Sequence, residues 1–389
     1  MTRYLSCFLL FLSLLLFSRC VYSQKGSDNS DTFNWNAGLS APKNYPSGAP
    51  SVQYFYKKEK IAAASLGTGA NQGWGETSGG FVGGEVLKPV PDSMAVKWVC
   101  SVDNLVYKSG FKLDRENILA FFKKGIVDSF GNQVEYTEIV AGTAPGGNVC
   151  VWLKAGQSIT QVGKFKVKEG VEDPNIDADY KKKDVKSWGN YLTYWKIHGI
   201  PYDSWEKGNS TYKYDIAYTT EEEATKNFSM AISGLSKDGS VVYADGDLKF
   251  LEWDGNPALD SKISNKKLPV QFYMQWISRD QKEWYEAQIV LPNDFEKQFL
   301  DFENKYGKGA RIILGMEKRQ EGNDFSFGKI WLQNPQGKQE IMKFRAAKLD
   351  YVKRDYKVSK YSLPKNFAFP KWEGKVALVF PDFDFWREK

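Results

Sequence analysis

The chain has 389 residues, which is enough for two or three domains of ordinary size. Its composition, 42% hydrophobic and 26% charged, excludes a disordered chain, and its 15% aromatic residues favour strands and broad packing surfaces. The formal charge of +6 is too small and too evenly spread to favour nucleic-acid binding.

The N-terminal residues have the features of a cleavable signal peptide. Arg3 supplies a positive charge, and residues 8–17 form an apolar run that is too short to span a bilayer comfortably. Residues 21–23 place small or medium side chains at the positions that a signal peptidase reads, which predicts cleavage before Gln24. We therefore predict a signal peptide at residues 1–23 and an exported protein.

Cys20 opens an alternative for this segment. A cysteine directly after the apolar run is the residue that carries the lipid in a lipoprotein, although Arg19 stands where a small residue is expected. The predicted location is therefore periplasmic, or lipid-anchored through Cys20 in a bacterial envelope. No other segment is apolar enough to cross a membrane, so the anchor would be the only membrane contact.

An internal repeat organises the rest of the chain. Residues 91–98 align without gaps to residues 269–276, and Tyr107 meets Tyr285 at the same offset. A second pair of blocks follows after the offset changes by one residue. The side chains predicted to form the repeated core are Trp98, Tyr107, Trp152, Trp276, Tyr285 and Trp331.

The repeat predicts two tandem homologous domains. The first copy covers residues 33–170 and the second, which has diverged, covers residues 185–389. The residues between them, 171–184, are charged and include Pro174, which is typical of a linker.

The strand predicted from Val106 to Leu113 alternates in the same way in both copies. Its odd positions, from Tyr107 to Leu113, are apolar or small, which is typical of an antiparallel strand buried on one face. The preceding strand, which ends at Trp98, alternates likewise, and a short connection predicts a hairpin. The other face carries Lys108, Gly110 and Lys112 in the first copy and Glu286, Gln288 and Val290 in the second.

A helix is predicted after each hairpin. Asp114 can cap the first helix and Gly125 can end it, whereas the second runs from Phe295 to Tyr306 and should be about one turn longer. Further strands are predicted at residues 134–141, 149–154 and 160–168, with counterparts at 310–316, 329–333 and 338–347. The predicted fold class is α+β, with a mainly antiparallel sheet and one main helix in each copy.

Two cysteines follow the N-terminal segment. Cys100 shares a strand face with Trp98, and Cys150 shares one with Trp152. If the two strands were neighbours, the thiols could meet, and an exported compartment permits a disulfide. A bridge between Cys100 and Cys150 and two free thiols are both open at this point.

The order of these motifs resembles a known family. Residues 41–46 read Ala-Pro-Lys-Asn-Tyr-Pro and precede a glycine-rich segment, and residues 144–153 read Ala-Pro-Gly-Gly-Asn-Val-Cys-Val-Trp-Leu. Together with Trp98 and Tyr107 they resemble domain of unknown function 2931, many of whose bacterial members are predicted lipoproteins. The first copy is the more similar, since the second replaces the proline-glycine turn with a longer insertion at residues 317–327. The resemblance implies an envelope location and no particular chemistry.

The sequence offers few groups for catalysis. His198 is the only histidine, so it cannot build a typical zinc site, and no nucleophile signature accompanies it. The glycine-rich run at residues 67–84 lacks the Lys-Ser/Thr ending of a phosphate-binding loop and predicts a flexible connection. Acidic runs at residues 221–223 and at Asp382 and Asp384 are typical of solvated surface rather than a glycosidase pair. No catalytic, cofactor-binding or metal-binding residues are predicted.

The leading hypothesis is a non-enzymatic envelope protein that binds a partner protein. One version is an inhibitor or immunity-type protein that caps an envelope-active effector. The alternative is a carbohydrate-binding or carbohydrate-processing envelope protein, because tryptophans outside the repeat could stack on sugars. Those tryptophans are Trp188, Trp195, Trp205, Trp372 and Trp386.

Overall fold

The structure of the protein is a computed structural model. It describes residues 31–78, 80–128, 131–176, 178–221, 230–244, 248–252, 255, 263–277, 283–318, 320, 322–350, 352–371 and 384–385. The predicted signal peptide with Cys20, and the candidates Trp372, Trp386 and Asp382, lie outside these residues. Contacts group the chain from Phe33 to Lys389 into one compact unit. Below, the first half denotes described residues up to 176, and the second half those from 178 onward.

The first half consists mostly of strands. Their bounds are β1 (Thr32–Asn34), β2 (Asn36–Ser40), β3 (Ser47–Tyr56), β4 (Glu59–Ser65), β5 (Gly69–Ala70), β6 (Phe81–Gly84), β7 (Leu87–Pro89), β8 (Ser93–Cys100), β9 (Leu105–Lys112), β10 (Ile126–Val127), β11 (Gln133–Val134), β12 (Glu138–Ala144), β13 (Asn148–Ala155) and β14 (Ser158–Lys166). One helix, α1 (Arg115–Lys124), follows β9, and a 3₁₀ turn at Pro145–Gly147 joins β12 to β13.

The second half has more helix. Its helices are α2 (Ala178–Lys182), α3 (Val185–His198), α4 (Tyr202–Lys207) and α5 (Phe295–Tyr306). Its strands are β15 (Tyr212–Lys213), β16 (Asp215–Thr220), β17 (Met230–Ser236), β18 (Val241–Val242), β19 (Lys249–Phe250), β20 (Asn265–Lys266), β21 (Pro269–Ile277), β22 (Trp284–Val290), β23 (Arg311–Met316), β24 (Phe325–Asn334), β25 (Gly337–Asp350), β26 (Asp355–Tyr356), β27 (Tyr361–Leu363) and β28 (Asp384–Phe385). The fold is therefore β-rich with few helices, as the sequence predicted.

Two sheets enclose the core of the first half. One sheet has the order β6-β4-β3-β8-β9, and the other has the order β14-β13-β12-β2, in which β2 runs parallel to β12. In β8 the side chains of Met94, Val96 and Trp98 are buried while Lys97 is exposed, because successive strand residues point to opposite faces. The inward side chains of both sheets and of α1 form one hydrophobic core.

The second half has the same order of paired strands. β17, β21 and β22 pair as β3, β8 and β9 do, and β16 runs parallel to β23 as β2 does to β12. In this half β22 also pairs with β25, between residues 284–286 and 347–349, so its strands belong to one continuous sheet. The inner faces and α5 form a second core.

The predicted hairpin is confirmed in both halves. Trp98 lies opposite Tyr107 on neighbouring strands and the rings stack 5.0 Å apart, while Trp276 and Tyr285 stack 5.4 Å apart. All four side chains are buried. Cross-strand aromatic pairs of this kind stabilise a sheet beyond their burial alone, which explains why these two residue types recur together.

Trp152 and Trp331 are also buried, but on the other side of their strands. Each stands next to a register shift between its strand and the following one, at Val151/Trp152 and at Ile330/Trp331. Trp152 packs edge-on against Trp74 with ring centroids 4.9 Å apart. These tryptophans therefore fill contacts behind the sheets rather than the two main cores.

The predicted helix boundaries of α1 are confirmed. The carboxylate of Asp114 accepts a hydrogen bond from the backbone N–H of Asn117 at 3.1 Å, and Gly125 ends the helix with a φ of +68°. The expectation that the second helix is about one turn longer was wrong. α5 has 12 residues against 10 in α1, which is about half a turn.

Helices α2, α3 and α4 are the main departure from the sequence analysis. The predicted linker at residues 171–184 contains α2, and α3, with 14 residues, is longer than α1 or α5. Its aromatic side chains at positions 188, 191 and 195 follow helical spacing, yet the run was interpreted only as an aromatic stretch. Within the described residues, no helix is long and apolar enough to cross a membrane.

The cap of α1 allows a direct test. We expect Asp114→Ala to lower the free energy of unfolding by about 1 kcal/mol, because the N–H of Asn117 loses its acceptor. Asp294→Ala is the matched control, since Asp294 precedes α5 but makes no capping hydrogen bond with its side chain. Urea unfolding should show a smaller loss for the control, and equal losses would contradict the assigned cap.

Candidate functional site

The two halves are joined at the turn between β17 and β18. The backbone N–H groups of Lys43 and Trp74 both donate to the carbonyl oxygen of Gly239, at 2.9 and 3.0 Å. Gly239 has a φ of +75°, and a Cβ there would lie 2.7 Å from the Cβ of Pro42. Only glycine therefore fits this close approach without a shift of the backbone.

Helix α3 extends the same contact. The indole N–H of Trp195 donates to the carbonyl oxygen of Asn44 at 2.6 Å, and the hydroxyl of Tyr45 donates to the carbonyl oxygen of Gly199 at 2.8 Å. Both aromatic side chains are buried. Asn44 and Tyr45 belong to the Ala41–Pro46 segment that carries the family resemblance, so this segment acts as a contact between the halves.

Burial removes two of the tryptophans proposed for sugar stacking and partly covers a third. Trp195 and Trp205 are each 1% exposed, and the indole N–H of Trp205 donates to the carbonyl oxygen of Asp238 at 2.9 Å. Trp188 is partly buried and its ring lies 5.3 Å from Tyr191. A sugar ring stacks on an accessible aromatic face, which Trp195 and Trp205 do not offer.

His198 has a structural environment. Its Nε2 atom lies 2.8 Å from Oε1 of Gln271 on β21, and its ring lies 4.3 Å from that of Tyr194. Burial lowers the pKa of His198 to about 4, although the hydrogen bond to Gln271 opposes this shift. The ring is therefore neutral at pH 7 and holds α3 against β21. We find no nucleophile beside it among the described residues.

Lowering the pH should weaken this contact. A group with a lowered folded pKa stabilises the fold above its unfolded value of about 6.5, and that stability is lost as the pH falls toward about 4. We expect the wild type to lose about 1 to 2 kcal/mol more of its unfolding free energy between pH 7 and pH 4.5 than His198→Gln does.

Glutamine at position 198 is a suitable comparison because it can still meet Gln271 without titrating. His198 is the only histidine in the chain, so the variant has no imidazole left to titrate. Urea unfolding at both pH values measures the difference. Equal pH dependence in the two proteins would show that His198 does not carry it.

A second polar cluster surrounds Asp103, in the connection after β8. Its carboxylate accepts hydrogen bonds from Cys100 Sγ at 3.2 Å, Tyr107 at 3.0 Å, Tyr202 at 2.7 Å and the backbone N–H of Gly146 at 2.6 Å. Burial, and then the charge of Asp103, raise the pKa of the Cys100 thiol well above its ordinary value. A protonated, buried thiol is a poor nucleophile, so the cluster ties strands and helices together rather than forming a reactive centre.

Lys183, which belongs to the predicted linker, contacts the connection after β8 next to Asp103. It is 2% exposed, and its ammonium group donates to Oδ1 of Asn104 and lies 5.3 Å from the ring of Trp188. Burial lowers the pKa of Lys183 to about 8. The hydroxyl of Tyr180 lies 2.6 Å from Oγ of Ser101. These contacts attach the residues before α3 to the first half.

Cys100 and Cys150 are both free and buried. Cys100 lies on β8 in the main core, whereas Cys150 lies on β13 with Trp152, in the cluster between the halves. The two strands belong to different sheets and are not neighbours. The face that each cysteine shares with its tryptophan follows the predicted alternation, but the bridge is not formed in this structure. Cys20 lies outside the described residues.

A thiol titration tests this arrangement. In a chain that begins at residue 24, we expect Ellman's reagent to detect two thiols after unfolding without reductant. Before unfolding, their reaction should be at least about 100-fold slower, because burial raises the pKa of both and brings that of Cys150 to about 12. Detection of no thiol in the unfolded chain would establish a bridge instead.

The remaining candidates for chemistry are dispersed. The glycine-rich residues 67–84 include the strands β5 and β6, so part of the predicted flexible connection is ordered sheet. The carboxylate of Glu221 accepts a hydrogen bond from the backbone N–H of Lys318 at 2.9 Å, and Glu222 and Glu223 lie outside the described residues. No group of three or more metal-ligating side chains occurs in the described part of the chain.

The outer face of the sheet β6-β4-β3-β8-β9 carries exposed basic side chains. Lys97 and Lys108 lie opposite each other on β8 and β9, and Lys112 follows on the same face. All three are exposed, and none has a carboxylate partner among the described residues. Between them and the far edge stand mainly small side chains, at Ala95, Ala63 and Gly83. The face is basic, and few large side chains rise from it. We call it the basic face.

Apolar side chains are exposed at the far edge of the same sheet. Phe81 is 82% exposed, and Val82, Val86 and Leu87 are 51%, 69% and 65% exposed. β6 pairs with β4 on one side only, so its other side is an open sheet edge in the described structure. Neighbouring large apolar side chains that remain in water are typical of surfaces that bind another protein.

The corresponding face of the second half is covered. Glu286 on β22 accepts hydrogen bonds from the hydroxyl of Tyr356 and, at 2.8 Å, from the ammonium group of Lys360. His198 on α3 contacts Gln271 on the neighbouring strand β21. Segments of the chain itself therefore contact the outer face of β21 and β22, whereas the corresponding face of β8 and β9 carries exposed lysines.

Comparison with known protein families gives one match, over part of the chain. Residues 22–203 match the model of the family described as protein of unknown function (DUF2931). The matched region contains the first half and continues through α3 to the start of α4, so it extends past the boundary predicted at residue 170. No curated protein matches the chain.

Proposed function

We propose that this chain is an exported, non-enzymatic protein of the bacterial cell envelope that binds an acidic partner protein through the basic face. An inhibitor or immunity-type protein is one version of this function. The proposal has three parts, which concern duplication, export and binding, and each rests on different observations.

Tandem duplication of one domain is supported by agreement between the halves. Strand order, the parallel pairs β2–β12 and β16–β23, the stacked Trp–Tyr pairs and the register shifts beside Trp152 and Trp331 recur at matching positions. Such matches at several levels are hard to obtain from unrelated sequences. The family match covers residues 22–203, so the second copy is part of the proposal.

Export is supported by the N-terminal residues alone. Arg3, the apolar run at residues 8–17 and the small or medium residues Val21 and Ser23 before Gln24 have the order of a signal peptide. Cys20 leaves lipid anchoring as the alternative outcome. Mass spectrometry of the N-terminus of the protein isolated from its own cells would distinguish cleavage before Gln24 from acylation at Cys20.

Binding of a protein is carried by one observation, the basic face with its apolar edge. Lys97, Lys108 and Lys112 have no carboxylate partner in the described structure, while Phe81 and Val82 expose apolar surface on the same sheet. Complementary charge guides encounter and selects partners, and exposed apolar area supplies affinity. The partner's surface should therefore be acidic opposite β8 and β9 and apolar opposite β6.

The carbohydrate hypothesis has weaker support. The burial of Trp195 and Trp205 leaves it dependent on the half-buried Trp188 and on Trp372 and Trp386, which lie outside the described residues. It stays an alternative that a glycan array tests directly. Binding that Trp372→Ala abolishes, with no protein partner found, would favour it.

A charge-reversal experiment tests the protein-binding proposal. The chain from residue 24 is immobilised and exposed to an extract of the organism's own cell envelope. A variant with Lys97→Glu, Lys108→Glu and Lys112→Glu should capture its partner at least about tenfold less well, because each attraction becomes a repulsion. The captured protein should be acidic, and its capture should weaken with salt.

The matched control changes the same number of exposed lysines elsewhere, with Lys186→Glu, Lys249→Glu and Lys365→Glu. It has the same net charge as the test variant and should retain capture. Equal loss in both variants would mean a general charge effect. No stoichiometric partner for the wild type would overturn the proposal.

A further inference from the structure

Strand β27 fills a gap in the second half between β22 and β25. β22 pairs with β25 at residues 284–286, and then with β27, where Gln288 lies opposite Tyr361 and Ile289 opposite Ser362. The hydroxyl of Ser362 also bridges to β25, accepting from the backbone N–H of Arg345 at 2.7 Å. A short extended segment thus adds to the edge of β22 and covers the core beneath it.

The same gap in the first half lies between β9 and β14. Only Val106 bridges across it, to Val171, and no described residue pairs with the outer edge of β9 from Ser109 to Lys112. We call this gap the β9 seam. The rings of Phe111 and Phe165 stack 4.7 Å apart beneath it.

The burial of these side chains differs between the halves. Ile289 and Phe344, which hold the corresponding positions in the second half, are fully buried. Phe111 and Phe165 are only partly buried. A strand laid into the β9 seam would cover them as β27 covers their counterparts, and the burial of this apolar area would favour binding.

The β9 seam carries a basic residue where the corresponding strand of the second half, β22, carries an acidic one. Glu286 on β22 pairs with Lys360, which directly precedes β27. The residue at the matching position on β9 is Lys108, and Lys112 replaces the buried Val290. A segment that pairs with Lys108 as Lys360 pairs with Glu286 must carry an acidic residue at that place.

We propose that the β9 seam binds an extended acidic segment of the partner protein, which adds as a short strand parallel to β9. This site deepens the proposed function, because it states which part of the partner is recognised and how. Addition of a strand to a sheet edge gives affinity through backbone hydrogen bonds, and the side chains that alternate along it give specificity.

One backbone donor is identified by the comparison between the halves. The N–H of Gln288 donates to the carbonyl oxygen of Lys360 at 2.8 Å. Gly110 holds the same register on β9, opposite Ala95, as Gln288 holds on β22, opposite Tyr273. Its N–H therefore faces the open edge, where it is available to a bound strand.

Two synthetic peptides serve as probes. One has the sequence of residues 357–366, which includes β27, and the other is the same peptide with Lys360→Glu. Fluorescence anisotropy measures the binding of each labelled peptide to the chain from residue 24. The Glu peptide should bind about three- to tenfold more tightly than the native peptide, because an opposite-charge pair replaces a like-charge pair across neighbouring strands.

Two variants of the chain make this result specific to the seam. Lys108→Glu should reverse the preference, so that the native Lys360 peptide becomes the tighter ligand. Lys60→Glu makes the same change of charge at an exposed position toward the far edge of the sheet and should leave the preference unchanged. Gly110→Pro removes the N–H that faces the edge, and it should abolish binding of both peptides while a thermal melt checks the fold.

The outcomes separate this inference from the proposed function. If neither peptide shows saturable binding, or if Lys108→Glu leaves the preference unchanged, the seam is not the acceptor, even when the basic face still captures a partner. If no partner is captured and the Glu peptide binds as expected, the proposed function fails, but the β9 seam is still shown to bind an extended acidic segment. Dimerisation of the wild type that the Glu peptide reverses would replace the partner with a second copy of this chain, and would overturn the inference.

Discussion

Hydrogen bonds to the carbonyl oxygen of Gly239, in the second half, join it to the first half. It accepts two backbone hydrogen bonds from the first half, at Lys43 and Trp74, and the left-handed conformation of Gly239 permits the approach. Buried peptide groups need partners, so this contact fixes the direction from which the β17–β18 turn enters. The aromatic side chains of α3 and α4 then fill the space around it. The interface is consequently built from polar backbone groups at its centre and from aromatic rings around them.

Local patterns account for the part of the fold that the sequence predicted. Alternation about Trp98 and Tyr107 located both strands of the hairpin, and the Asp114 and Gly125 signals located α1, because each depends on residues a few positions apart. α3 was missed although the aromatic side chains at 188, 191 and 195 have helical spacing, because the run was interpreted only as an aromatic stretch. The surface of the first half against which these side chains pack could not be inferred from local sequence. The parallel pairing of β2 with β12 joins residues about a hundred positions apart, and no local signal specifies it.

The basic face could not be predicted from the sequence, because its exposure also depends on contacts between distant parts of the chain. The alternation predicted that Lys108 and Lys112 lie on the polar side of a strand, which the structure confirms. Whether a face is open or covered depends on segments from elsewhere in the chain. In the second half α3 contacts β21 and the residues around β27 cover β22, whereas no described segment pairs with the outer edge of β9 from Ser109 to Lys112. The difference between the halves is thus one of covering segments more than of strand order.

The hydrogen bond from Tyr45 to Gly199 spans 154 residues of sequence. At ribosomal rates of about 5 to 20 residues per second, that stretch takes roughly 8 to 30 s to synthesise. During this time the Ala41–Pro46 segment has emerged, but the helix that will accept its hydroxyl has not been made. Until residues up to Gly199 have been made, the hydroxyl of Tyr45 lacks this acceptor, although the side chains of the first half's own core are already present. The contact between the halves is therefore the last part of the first half's environment that synthesis supplies.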